Sequence, residues 1–206
     1  MSTEITVAKI EVARRQLRTA IELWFYDGDP VSIHSLAAAS HQIVHDLNRK
    51  NGGPNLMLDA AFIKAEYRKE FLNNIKHASN FMKHADRPND SPRLTLLFRP
   101  ETNRDFMLFT IICLGYLDEE LGTTEIAFER WHTFNNPNLM SDTGIALFEN
   151  TFTTEQRAMF TRMKKHKFFE SFHLNAGKSA GVAEVIHRSS NTSLDEDGFA
   201  AVQLGR

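Results

Sequence analysis

Apolar residues recur at three-, four- and seven-residue steps through most of the first 173 positions, and period-two alternation is scarce. Val7, Ile10, Leu17, Ile21 and Trp24 form one such stripe and predict an amphipathic helix over 7–26, with Arg14, Arg15, Arg18 and Glu22 on its other faces. Asp27-Gly28-Asp29-Pro30 stops it: Gly28 suits a C-terminal cap, and Asp29-Pro30 suits an N-cap followed by proline at the first helical position. A second helix is predicted over 30–50, ended by Asn51-Gly52-Gly53-Pro54. Its expected core face is Leu36, Ile43 and Leu47, flanked by Ile33 and Val44, and Ala37, Ala38 and Ala39 are small enough to admit a close neighbour. A third helical region spans 55–85 with an interruption near Asp59, its apolar face being Phe71, Leu72, Ile75, Ala78 and Met82.

The pattern lapses over 86–92, a loop by composition, and 94–98 reads as a short strand or an extended apolar segment. Thr102 to Asp105 resembles a capping box with Asp in place of Glu, and predicts a helix over 103–121. Gly122-Thr123-Thr124 separates it from a helix over 125–134, closed by Asn135-Asn136-Pro137. Thr153 with Gln156 forms a second capping box, opening a last helix to about residue 172. Beyond 175 the chain is rich in Gly, Ser, Asn and Asp and predicts a flexible tail, with one helical turn at 182–187. The expected architecture is an all-α multi-helix bundle of six or seven helices in one domain, 1–173, followed by a tail, 174–206.

Composition bounds the class. With 42% hydrophobic and 24% charged residues, full-length disorder, a collagen-like fibre and a pure coiled coil are excluded. Twenty-four Lys and Arg against 26 Asp and Glu leave a formal charge of -2, so no global basic field attracts nucleic acid or an acidic membrane. A lone cysteine, Cys113, excludes an intrachain disulfide and a Cys-only zinc site. The first residues lack the basic-then-apolar pattern of a secretory signal, and the most apolar run, 106–117, falls short of the ~20 residues a membrane span needs. A cytoplasmic protein is expected. Sixteen Phe and two Trp exceed what one small bundle readily buries, which predicts self-association as a homodimer.

Two polar stripes carry candidate chemistry. His34, His41 and His45, seven and four residues apart, lie within about 40° of one another at about 100° per residue on the second helix. They fall opposite Leu36, Ile43 and Leu47, either solvated or against a second partner. Glu66, Glu70, His77 and His84 share a similar stripe on the third helix. An antiparallel hairpin of the two helices would bring His45 towards Glu66 and His41 towards Glu70. His34, His41, His45, Glu66, Glu70 and His77 are therefore candidate ligands for a divalent metal such as zinc or iron, in a metal-dependent enzyme or sensor. Exposed His and Glu on helices equally serve solubility. Glu129 with His132 is a Glu-x-x-His pair; a ferritin-like centre requires such pairs on two helices together with a further Glu from each of two others.

The segments Asp29-Pro30-Val31-Ser32-Ile33-His34-Ser35-Leu36-Ala37-Ala38-Ala39 and Asn80-Phe81-Met82-Lys83-His84-Ala85-Asp86 resemble a group of uncharacterised bacterial helical proteins. More distantly, the pattern is similar to HEPN domains, helical bundles of toxins, defence systems and RNA processing. Their ribonuclease motif runs Arg, a polar residue, a short spacer and His. Asn80 and His84 match the polar and His positions, but Ser79 stands where the Arg belongs. Arg162 to His166 is too short a spacing and Arg68 to His77 too long. The resemblance implies acid–base work for the His and phosphate stabilisation by the Arg, so loss of the Arg implies a non-cleaving member. Lys83 lacks the planar fork and points about 100° from His84. His77, Asn80, Lys83, His84 and Asp86 then form a candidate surface for a nucleotide, RNA or a partner protein. Placed in a helix C-terminus, the same residues also complement the helix dipole.

Arg157, Arg162, Lys164, Lys165, His166, Lys167, Phe168 and Phe169 interleave cations with aromatics, as single-stranded nucleic acid sites do; the alternative is a solvated basic face over buried Phe160, Met163, Phe168 and Phe172. Phosphate loops, nucleophile elbows and dinucleotide fingerprints are absent from the sequence. Cys113, inside an apolar helix, reads as packing rather than a nucleophile. The function that follows is a non-enzymatic HEPN-like interaction module without a cofactor, the alternative being the metal-binding bundle.

Overall fold

The computed structural model describes residues 4–55, 57–59, 64–83, 95–139 and 142–176. Among them all regular structure is helical: α1 (Lys9–Phe25), α2 (Pro30–Lys50), a 3₁₀ turn at Met57–Asp59, α3 (Ala65–Lys83), α4 (Thr102–Tyr116), α5 (Thr123–Asn135), a 3₁₀ turn at Pro137–Leu139, α6 (Asp142–Thr151), α7 (Thr154–Arg162) and α8 (Lys165–Ala176). The expected all-α class is what forms. The segment 95–99 has no regular structure and pairs with no strand among the described residues. The expected tail, with its turn at 182–187, lies outside them from residue 177 onwards. The chain divides into two compact units, Met1–Glu120 and Leu121–Arg206, where the sequence suggested one domain over 1–173.

In the first unit α1 and α2 form an antiparallel hairpin. The Ser40 hydroxyl donates to the Ala13 carbonyl at 2.7 Å, a contact that requires close helices. Ala13, Ala20, Ala37 and Ala38 are all buried, which permits it. Asp29 caps α2 by accepting from the Ser32 N–H at 2.8 Å, with Pro30 in the first turn. The end of α1 differs from expectation. Asp27, not Gly28, takes the left-handed conformation, at φ 55°, and Gly28 N–H returns to Leu23 O at 2.7 Å. This is a Schellman ending with aspartate in the position that glycine usually fills. α4 ends in the same way, with Asp118 at φ 54° and Glu119 N–H bonded to Leu114 O at 3.1 Å. That turn delivers Glu119 to Arg14 of α1, a 2.8 Å ion pair, and the same guanidinium donates to Glu120 O. The capping box expected at Thr102–Asp105 does not form. Glu101 is the N-cap without a side-chain bond, and the Thr102 hydroxyl turns back to Arg99 O at 2.8 Å.

In the second unit the capping box at Thr153 and Gln156 is present in both directions. The single helix expected after it is broken at Met163, whose backbone is extended, into α7 and α8. The reason lies in the phenylalanines. Phe160 and Phe168 approach to a ring separation of 5.6 Å, and both rings meet Phe134 of α5, at 4.9 and 6.0 Å. In an unbroken helix their Cα atoms would stand about 12 Å apart along the axis. None of the Phe or Trp side chains described is exposed. The large apolar residues left exposed are of other types, such as Leu97 and Leu174.

Candidate functional site

The histidine stripe of α2 is neither solvated nor an outer face. His34, His41 and His45 are buried, together with Ile33, Ala37, Ser40, Val44 and Asn48, while Leu36, Ile43 and Leu47 are only half-buried. α2 is covered on two sides, by α1 and by α4. The second contact is parallel and in fixed register. His34 meets Asn103 and His41 meets Thr110, both pairs 69 positions apart, so the seven-residue step on one helix matches that on the other.

His34 joins three elements. Its Nδ1 lies 2.9 Å from Asn103 Oδ1 and its Nε2 lies 3.1 Å from Ser79 Oγ of α3. Asn103 Nδ2 donates to Pro30 O at 3.0 Å, which turns its Oδ1 towards the ring. Nδ1 therefore carries the proton and donates, and Nε2 accepts from Ser79. Phe98 and Phe106 meet the ring edge-to-face at 5.0 and 5.3 Å. Burial lowers the His34 pKa, opposed by the Asn103 hydrogen bond and reinforced by the charge of Lys83.

His41 follows the same logic. The Thr110 hydroxyl donates to Phe106 O at 2.6 Å, so at 3.3 Å it accepts from His41 Nδ1–H. His41 Nε2 is buried with no hydrogen-bond partner. Burial first, then neighbouring His45, push the pKa down to about 3, with Asp59 opposing. Asp59, on the 3₁₀ turn, places Oδ1 3.1 Å from His45 Nε2. Neither His45 nitrogen is aligned for a hydrogen bond.

The six proposed metal donors are thus not brought together. His34, His41 and His45 face inward from α2, while Glu66, Glu70 and His77 are exposed on α3. The expected partner of His45 is replaced by Asp59. Among the described residues no group of three His, Cys, Asp or Glu converges as a metal site. The hairpin argument failed because the segment between α2 and α3 contains its own 3₁₀ turn, which places Asp59 beside His45.

Of the candidate ligand surface, His77 and Lys83 are exposed and Asn80 is half-buried; His84 and Asp86 lie outside the described residues. Ser79, where the HEPN motif has Arg, is buried and bonded to His34. An arginine there would enter the α2–α4 seam. The first turns of α3 carry both signs, with Glu66 and Glu70 beside Arg68 and Lys69, whereas 71–83 contains no acidic residue and carries Lys76, His77 and Lys83. Lys76, Asn80 and Lys83 follow at steps of four and three, so they share one stripe.

Elsewhere, Cys113 is fully buried and its thiol pKa is pushed up to about 12, first by burial and then by Asp59. It is a packing residue. In the basic-aromatic segment Phe168 and Phe169 are buried, Arg157 pairs with Glu149 at 2.8 Å and Lys167 with Glu170 at 2.8 Å. The aromatics are core and the cations are a solvated face. Glu125, Glu129 and His132 are buried together on α5, and Thr124 Oγ1 lies 3.5 Å from His173 Nε2 of α8. The Glu129-x-x-His132 spacing hinted at one face, but not at its burial. Comparison of the chain with known families, characterised proteins and solved structures finds no match.

Proposed function

We propose that the protein is a non-catalytic, HEPN-like helical module of the cytoplasm, a homodimer, that binds single-stranded RNA through the outward C-terminal half of α3. The observation that carries this reading is the stripe of Lys76, Asn80 and Lys83 with His77 beside it. Neither lysine has an ion-pair partner among the described residues, and no acid falls between 71 and 83 to cancel them. Lysines two turns apart stand about 10 Å apart along the axis, a span over which phosphates of an extended strand can pair with both. Asn80 adds an amide that donates and accepts. No helix among the described residues is long and apolar enough to cross a membrane. The histidines of α2 are held within the core of the first unit, so of the two polar stripes only that of α3 has accessible side chains among the described residues.

The test is fluorescence anisotropy with a labelled single-stranded RNA. Two phosphate contacts predict a Kd of about 10–100 μM and a log–log salt slope of about -1.4, hence about fivefold weakening for a threefold rise in salt. Lys76→Glu and Lys83→Glu should each abolish measurable binding with the helical circular dichroism intact. Binding that ignores both reversals, or an RNA that never binds while a mononucleotide or a protein does, defeats the reading.

A further inference from the structure

We propose that His34 is an acid-sensitive latch holding α3 against α2 and α4, so that proton uptake by this one buried ring loosens the helix that carries the cationic stripe. Three observations converge on the ring. It is 1% exposed, and it bridges Ser79 on α3 to Asn103 on α4. Asn103 is itself held by Pro30 O, so the ring is fixed in one neutral tautomer. Ser79 is the one buried side chain among those described on α3, where Leu72, Ile75, Ala78, Phe81 and Met82 are half-buried and Ser35 Oγ lies 3.9 Å from Met82 Sδ.

Protonation does not break the hydrogen-bond geometry. Nε2–H would donate to Ser79 Oγ, and the hydroxyl hydrogen would turn away. The penalty is electrostatic. An imidazolium would sit among Phe98 and Phe106 without a counter-ion, and Lys83 of α3 adds repulsion. Asn103 of α4 offers a dipole, not a charge. Of the described groups facing the ring from α3, α4 and the 95–99 segment, Lys83 is the charged one. Retreat of the C-terminal half of α3 relieves both terms at once, by admitting water and by removing Lys83.

A ring that prefers to be neutral when closed and takes its ordinary pKa when open couples opening to one proton. Opening should rise by up to about tenfold per pH unit below 6.5. The latch itself does not depend on what α3 binds; the claim that it regulates binding rests on the function proposed above.

The experiment is amide hydrogen exchange of the full chain between pH 7 and pH 5, corrected for intrinsic rates, with the His34 ring followed by NMR. The expected result is protection of 65–83 falling more steeply with acid than that of α1, which follows the acid loss of the first unit as a whole, and His34 seen as the Nδ1–H tautomer titrating below 6.5. His34→Gln should remove this excess pH dependence of α3 over α1. Protection of α3 that only tracks that of α1 with pH, the same excess in His34→Gln, or a ring that titrates at 6.5 or above overturns the latch. If His34→Gln does not fold, the wild-type exchange and ring titration still decide. Failure of RNA to bind, with α3 protection still pH-dependent, would defeat the function and leave the latch standing.

Discussion

Acid should strip stability from the first unit through His41 more than through any exposed group. The ring is fully buried, flanked by Phe106 and Phe109, and the titratable groups that face it are His45 and Asp59. Its pKa falls from 6.5 to about 3 on folding. A histidine depressed in this way contributes fully above 6.5, and its contribution is lost as pH falls from there towards 3. At pH 5 the deficit is about 1.5 pH units, or about 2 kcal/mol relative to pH 8. The assay is urea unfolding at pH 8, 6.5 and 5, read from Trp24 fluorescence in a Trp131→Phe background so that the signal reports the first unit. His41→Asn supplies the reference. Its amide nitrogen can replace Nδ1 as donor to Thr110, and the lost ring costs about 1–3 kcal/mol at every pH. The gap between wild type and variant should therefore narrow by about 2 kcal/mol from pH 8 to pH 5. Parallel losses in the two proteins would show that His41 is hydrated or paired, and would refute the burial argument.

Other outcomes follow from local geometry. Asp118→Gly should stabilise by about 0.5 kcal/mol in thermal melts, because glycine relieves the left-handed strain but gains unfolded-state entropy. Gly53→Ala should destabilise by about 1–3 kcal/mol, since a Cβ there would stand 1.9 Å from Asn48 Oδ1 and displace an amide bonded to Pro54 O. Cys113 should resist a thiol-specific reagent at pH 8 in the native protein and react once denaturant is added, as a buried thiol with a pKa of about 12 requires. Rapid native labelling would contradict its placement in the core.

Much of the fold was legible because it is local. Apolar spacing, Asp29-Pro30, Asn51-Gly52-Gly53 and the Thr153/Gln156 box set most helix limits within a few residues, since caps and periodicity act over one turn. What periodicity could not decide is which face of α2 would be inside. Leu36, Ile43 and Leu47 read as core and proved half-buried, whereas the histidines went in. At His34 and His41 the cost of burying the imidazole is offset by neighbours that accept its Nδ1–H. Those neighbours, Asn103 and Thr110, lie 69 residues away and become visible only when α4 packs parallel to α2. The break between α7 and α8 has the same origin, because Phe134 is what bends the chain for Phe160 and Phe168. The sequence alone determined most of the helices, the caps at Asp29 and at Thr153 with Gln156, and the inert character of Cys113. The tertiary structure decided the roles of the histidines, because the free energy of a buried polar group depends on partners that no local pattern encodes.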